Sequence, residues 1–226
     1  EKIIQQIQKM RNSYEIDHLL EPGLIPVLKG EIIGYTGDTG SLSGPHLHFE
    51  LRDQINRPFN PLTTNLGEFL VDTKKPIPKK IAFIPKSLNT KINGTNNISI
   101  YDMNEKKKNN YYLNDTVYIM GNFGIALNII DEVDKQPFSY GIYSIDLFVD
   151  SLYQYGIKFD KTSFDQASQS YIERDYNLIV NNKGEFYRLF KSKYENNYFI
   201  DDRSKEFTYF EKGVHSFKIL VKDINQ

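Results

Sequence analysis

A glycine-rich stretch that ends in a pair of histidines constrains this chain most. Residues 30–52 read GEIIGYTGDTGSLSGPHLHFELR, and five of the chain's fourteen glycines fall within residues 30–44. Glycine adopts positive φ and allows backbone or ligand to approach closely, so such a cluster predicts tight turns packed around something. The alternation of polar and apolar residues after Pro45 then predicts a strand over residues 46–52.

The predicted strand places its polar side chains on one face. His46, His48 and Glu50 alternate with apolar residues, and strand side chains alternate between the two faces. Residues two apart on a strand are separated by about 6.5–7 Å, so both imidazoles can serve one metal centre. The H-x-H spacing on its own equally suits two histidines on a solvated face.

Three other motifs are absent from the sequence. There is no G-x-x-x-x-G-K-[ST] phosphate-binding loop and no H-E-x-x-H zinc helix. Gly34, Gly37 and Gly40 are three residues apart and precede a predicted strand, which disfavours a G-x-G-x-x-G dinucleotide site.

Three segments stand at fixed spacing before and within the histidine motif: residues 27–34 (VLKGEIIG), 37–40 (GDTG) and 43–50 (SGPHLHFE). Together they resemble the signature of the M23 family of zinc metallopeptidases, of the LytM and lysostaphin type. The resemblance implies that His48 is a zinc ligand and His46 the catalytic histidine. It also implies substrate-groove or structural roles for Gly37, Thr39, Gly40, Ser43, Gly44 and Glu50.

The resemblance implies a zinc-dependent endopeptidase that acts on peptidoglycan peptides in cell-wall hydrolysis or remodelling. Such an enzyme works outside the bacterial cytoplasm, in the periplasm or after secretion. The family also takes a histidine and an aspartate from an H-x-x-x-D motif, which this sequence lacks: Pro22 follows His18 at that spacing and Ile219 follows His215. The Zn²⁺ site is therefore incomplete, and we interpret His18 as incidental and His215 as a half-buried or surface residue.

Three interpretations of the missing ligands remain open. The chain is the C-terminal part of an active enzyme, or a degenerate module that binds cell wall or activates another hydrolase, or a surface protein whose β-rich part does the work. The first is favoured because both histidines stand in an intact GPHLHFE motif. The sequence starts within a helical pattern and ends in a strand-like one, which predicts a fragment without its targeting signal.

The sequence predicts a mainly β protein with two domains. Residues 1–66 would be the C-terminal part of an M23-type peptidase domain, a glycine-rich antiparallel unit with a short helix over residues 1–12 and short strands over residues 24–28 and 31–35. Prolines and lysines in residues 67–80 predict a linker. Short strand-like segments in residues 81–226, including residues 81–84, 125–130, 140–149 and 215–221, predict an immunoglobulin-like β-sandwich. The lysine-rich residues 104–110 predict a solvated loop.

Composition excludes several classes of protein. The formal net charge is −1, which gives no reason to expect a nucleic-acid partner. There is no cysteine and no apolar run of the length that a transmembrane helix requires. Sixteen tyrosines and fifteen phenylalanines suit half-buried strands.

Overall fold

The computed structural model of the protein describes residues 2–37, 44–192, 199–205 and 210–224. The chain divides into two compact units, Glu1–Phe49 and Glu50–Gln226. The described residues are mainly β, with several antiparallel sheets and few helices, as predicted. Within them, no helix combines the length and apolarity that crossing a bilayer requires.

The first unit contains the predicted helix but not the predicted strands. Helix α1 spans Lys2–Arg11 and leaves Ile3, Ile4 and Ile7 partly buried. The strands predicted over residues 24–28 and 31–35 are wrong, because neither segment pairs with a neighbouring strand among the described residues. A β-strand needs such a neighbour to satisfy its backbone N–H and C=O groups.

The histidine strand is also shorter than predicted. Of residues 46–52, only Leu51–Arg52 form a strand, β1, which pairs with β2 (Pro58–Phe59). His46 makes a single antiparallel bridge with Gly37. The alternation of residues 46–50 is therefore present in the sequence without a ladder to hold it as a strand.

No described residue of the first unit is buried. Many of its apolar side chains are open to solvent, including Leu19 (93% exposed), Ile33 (83%) and Tyr35 (92%). Burial of apolar surface is the main favourable contribution to folding, so the described part of this unit has no core of its own.

The second unit contains most of the regular structure. After β1 and β2 its strands are β3 (Ile77–Pro85), β4 (Lys91–Ile92), β5 (Ser99–Asp102), β6 (Asn104–Lys107), β7 (Asn110–Tyr112), β8 (Ile119–Met120), β9 (Phe123–Glu132), β10 (Ser139–Tyr140), β11 (Ser144–Val149), β12 (Leu152–Lys158), β13 (Tyr187–Arg188) and β14 (Phe217–Lys222). Its helix α2 spans Tyr176–Val180, and 3-10 turns cover Pro61–Thr63, Asn65–Phe69 and Phe164–Glu173.

Two antiparallel sheets make up the body of this unit. One has the order β10-β9-β3-β5, with β13 also pairing with β9, and the other has the order β12-β11-β14. Three shorter antiparallel pairs, β1–β2, β4–β8 and β6–β7, stand apart from them. The predicted solvated loop at residues 104–110 is thus largely a hairpin, whose tight turn includes Asn109 at φ +63°.

The two sheets share one apolar core. Its buried members include Ile81, Phe83, Ile125 and Leu127 from the first sheet, and Ile145, Leu147, Val149 and Tyr155 from the second. Phe123 of β9 lies edge-on to Phe217 of β14, with ring centroids 6.2 Å apart. These contacts bury the inner face of each sheet.

The first sheet is buried on its other face as well. Ala82, Ile84 and Ala126 pack there against Leu178, Phe186 and Phe190, from the segment that contains α2 and β13. Gly124 fits this packing because a β-carbon at its position would lie 2.5 Å from the Phe190 ring. The central strands therefore carry apolar residues at successive positions, as strands buried on both faces do.

Residues 50–80 are attached to the second unit in the structure. Asn60 donates its backbone N–H to the Asp160 carbonyl at 2.7 Å, and Phe59 bridges Lys161. The predicted linker, residues 67–80, includes the first four residues of β3. Sequence grouped residues 50–66 with the first unit, whereas their hydrogen bonds connect them to the second.

Limited proteolysis should distinguish the two units. We expect trypsin to cut first after Lys29, which precedes a turn glycine at φ +88° in a segment without described strands. Lys80 should resist, because β3 is paired there with both β5 and β9. Mass spectrometry of early digests identifies the cut, and Lys29→Gln is the matched control. Early cleavage after Lys79 or Lys80 would contradict this assignment.

Candidate functional site

The His46 ring is anchored to the backbone that precedes it. His46 Nδ1 lies 3.1 Å from the Gly44 carbonyl oxygen. A carbonyl only accepts, so Nδ1 carries the proton and the neutral ring keeps its lone pair on Nε2. Gly44 has φ +149°, a conformation that residues with a β-carbon rarely adopt.

Both histidines of the motif are open to solvent. His46 and His48 are exposed, and the Gly37–His46 bridge fixes the backbone only at the start of the motif. The His46 ring is therefore accessible to a ligand or to water. Thr39, Gly40 and Ser43, also predicted to line or support the groove, lie outside the described residues.

Glu50, expected on the same strand face as the histidines, is held by an arginine. Arg52 Nε donates to Glu50 Oε2 at 2.7 Å, and a second guanidinium nitrogen lies 2.6 Å from the same oxygen. Arg52 in turn places its guanidinium 4.7 Å from the centre of the Phe164 ring. The carboxylate therefore interacts with a cation of its own unit.

The donor set of the described residues does not complete a catalytic zinc site. Such a site uses three protein ligands and one open position. Among the residues that the structure describes, no group of three His, Asp or Glu side chains is arranged to hold a metal ion. Zinc coordination of the family type would therefore need further ligands beside His48.

The remaining two histidines have local partners. His18 Nδ1 lies 3.2 Å from an Arg11 guanidinium nitrogen. His215 Nδ1 lies 2.6 Å from Asp150 Oδ2, and its Nε2 lies 2.8 Å from the Glu211 carbonyl. Both contacts, Asp150 first, raise the pKa of His215. Through these two contacts His215 joins the residues before β14 to the β11–β12 turn.

Sequence reasoning missed a buried carboxylate cluster at the ends of β9 and β14. Asp131 is 2% exposed and Asp223 is 6% exposed, and one oxygen of each has no hydrogen-bond partner. Burial, and then the charges of Asp223 and Asp72, raise the pKa of Asp131 to about 7. Burial and a hydrogen bond with Asp72 also act to raise the pKa of Asp223.

No sequence signal indicated this cluster. Its three members come from the segment before β3, from β9 and from the end of β14, and each is an ordinary aspartate in its own context. Only the strand pairing brings them together. Carboxyl groups that share a poorly solvated site hold protons, because adjacent buried negative charges repel.

Comparisons of the chain with protein-family models, with curated proteins and with solved structures find no match. The M23 resemblance therefore stays a prediction that depends on the motif residues.

The carboxylate cluster predicts a stability that falls as pH rises. The folded-state pKa of Asp131, about 7, lies above the value expected in the unfolded chain. The folded state therefore binds the extra proton, and this stabilisation is lost as pH rises from about 4 to about 7. At about pH 8, Asp131→Asn should therefore unfold at a higher urea concentration than wild type. The corresponding gain in the free energy of unfolding is up to about 4 kcal/mol.

At about pH 4.5 the Asp131→Asn variant and the wild type should unfold at similar urea concentrations. Asp115→Asn, at an exposed position, is the control and should follow wild type at both pH values. If the stability of the Asp131→Asn variant declines with pH in parallel with that of the wild type, Asp131 is not the source of the pH dependence.

Proposed function

We propose that this chain is part of a zinc-dependent endopeptidase that cleaves peptidoglycan peptides. The observation that carries the proposal is the SGPHLHFE motif at residues 43–50, in register with the upstream glycine array. The enzyme acts outside the cytoplasm, where its substrate is, and its role is hydrolysis or remodelling of the cell wall. We expect no nucleic-acid partner.

His46 and His48 have different roles in this proposal. His48 is one zinc ligand, and His46 is the catalytic histidine that exchanges a proton with the reacting groups. The anchored Nδ1–H of His46 supports this role, because it leaves Nε2 as the basic nitrogen. Bound zinc would supply Lewis acidity toward the scissile carbonyl.

The proposal requires ligands beyond the described residues. A second histidine and a carboxylate from an H-x-x-x-D segment would complete the set. The exposed apolar side chains of the first unit support a further segment of the peptidase domain that would cover them, since a folded domain buries most such residues. In that domain Gly37, Thr39, Gly40, Ser43 and Gly44 would line the substrate groove or support its structure, and Glu50 would do so without binding the metal.

For the second unit we propose an immunoglobulin-like β-sandwich that accompanies the peptidase domain. Two antiparallel sheets around one apolar core support this assignment. Along β11, the buried residues Ile145, Leu147 and Val149 alternate with the half-exposed residues Asp146 and Phe148.

A second candidate is a non-catalytic M23-like module that binds cell wall or activates another hydrolase. The incomplete donor set among the described residues favours it. In this alternative the histidines contact ligand without metal, and the β-rich unit supplies the binding surface. Metal content separates the two candidates.

The 226-residue chain alone should bind zinc weakly. Tight structural or catalytic sites use three or four ligands held together, whereas the motif supplies one ligand of the family type, His48, and one neighbouring histidine, His46. Titration calorimetry should give a dissociation constant weaker than about 1 µM, which His48→Ala weakens further. Tight one-to-one binding that survives His48→Ala would show that another set of residues holds the metal.

In the natural full-length protein, alanine substitutions of the two motif histidines should have different effects on zinc content and turnover. His48→Ala should lower zinc content and peptidoglycan-peptide release together, because it removes a ligand. His46→Ala should keep zinc and lower turnover by about 10²–10⁴-fold, as expected for loss of an acid–base group. Metal analysis and a peptide-release assay on the same preparations measure both effects.

His18→Ala is the matched control, since His18 contacts Arg11 at the protein surface. It should retain both zinc and activity. A full-length protein without zinc, or one in which both motif variants keep wild-type activity, would eliminate the peptidase proposal in favour of the binding module.

A further inference from the structure

A groove in the second unit brings together two lysine-rich segments that are distant in sequence. It has a volume of about 530 Å³ and is lined by Thr73, Lys74, Lys75, Ile77, Lys108, Asn109, Tyr111 and Glu132. Its walls are the segment before β3, the β6–β7 hairpin and the end of β9. The volume lies within the range of roughly 300–1,000 Å³ that is usual for ligand sites.

The charges of the groove are unbalanced. Lys74 Nζ lies 2.8 Å from Glu132 Oε2, so these two side chains neutralise each other. Within the described residues, neither Lys75 nor Lys108 has a carboxylate partner. Two cations therefore face the groove without compensation.

Two of the three walls carry the same imbalance. Residues 72–80 contain four lysines and one aspartate, and residues 104–112 contain three lysines and one glutamate, a net charge of five positive units. The end of β9 opposes them with Asp131, Glu132 and Asp134, so the three walls together carry two positive units in a chain whose formal net charge is −1. A local excess of positive charge on a near-neutral protein attracts anions and raises their local concentration.

The groove is held in place by local hydrogen bonds. Asn109 donates its backbone N–H to Glu105 Oε1 at 2.8 Å, which fixes the hairpin turn beside Lys108. On the facing wall, Thr73 donates its backbone N–H to Asp134 Oδ2 at 2.6 Å. Burial raises the pKa of Tyr111, so its phenol remains a neutral donor beside the lysines.

We propose that this groove binds a linear acidic polymer through its phosphate or carboxylate groups. Lys75 and Lys108 pair with charges of the polymer, and Tyr111 and Asn109 supply neutral hydrogen bonds between them. This site is independent of the histidine motif and would operate in a peptidase or in a binding module alike.

The test compares charge reversals on the full 226-residue chain. Lys75→Glu combined with Lys108→Glu changes the groove, and Lys91→Glu combined with Lys183→Glu makes the same charge change at exposed positions elsewhere. The probes are fluorescein-labelled polyphosphate and poly-L-glutamate, measured by anisotropy at about 20 mM salt, where screening is weak. Co-sedimentation with anionic phospholipid vesicles at the same salt concentration is the third measurement.

The groove variant should weaken binding by at least about tenfold and the control variant by less than about threefold. Binding of polyphosphate alone assigns phosphate as the recognised group, and binding of poly-L-glutamate alone assigns carboxylate. Equal urea midpoints for the two variants show that the loss is not due to unfolding.

Three results would overturn the proposal. The first is that neither polymer binds. The second is that both double variants lose affinity equally, which would show that binding depends on total charge. The third is that only anionic phospholipid vesicles bind. The last result would make this face a membrane-docking surface instead.

Discussion

The pairing of β3 with β9 is the constraint on which the second unit depends. The register runs from Ile77 opposite Ile130 to Pro85 opposite Phe123, with an irregularity near Pro78. β9 also carries β10 and β13, and β3 carries β5, so this pair forms the centre of the larger sheet. Apolar residues on both faces of the pair then recruit the second sheet on one side and the α2 segment on the other.

This double burial explains which strands the sequence could predict. Residues 81–84 are a continuous apolar run and residues 125–130 are interrupted only by Asn128, and such runs are typical of strands buried on both faces. The α2 segment that covers the second face gave no comparable signal. The β6–β7 hairpin was missed because its residues are exposed and polar, so its pairing depends on the turn at Asn109 and not on a hydrophobic pattern.

The histidine motif shows the opposite relation between sequence and structure. Its residues indicated a chemistry, but the alternation at residues 46–50 did not produce a strand, because a strand is completed by hydrogen bonds to another segment. Within the described residues only Gly37 pairs with His46. What the motif does determine locally is the turn: Gly44 adopts its unusual φ and presents its carbonyl to Nδ1 of His46.

The segment that sequence predicted as a linker has more structural consequence than its composition suggests. Within a few residues it supplies Asp72 to the buried carboxylates, Lys74 and Lys75 to the groove, and the first residues of β3. Its prolines and lysines are typical of a solvated connector. Only the pairing of β3, the strand that follows, determines where these side chains lie. Because β3 and β9 hold this segment beside Glu132, opposite charges that are about sixty residues apart become neighbours. The polar features of the unit thus follow from its apolar centre, which is why a pattern read along the chain could not find them.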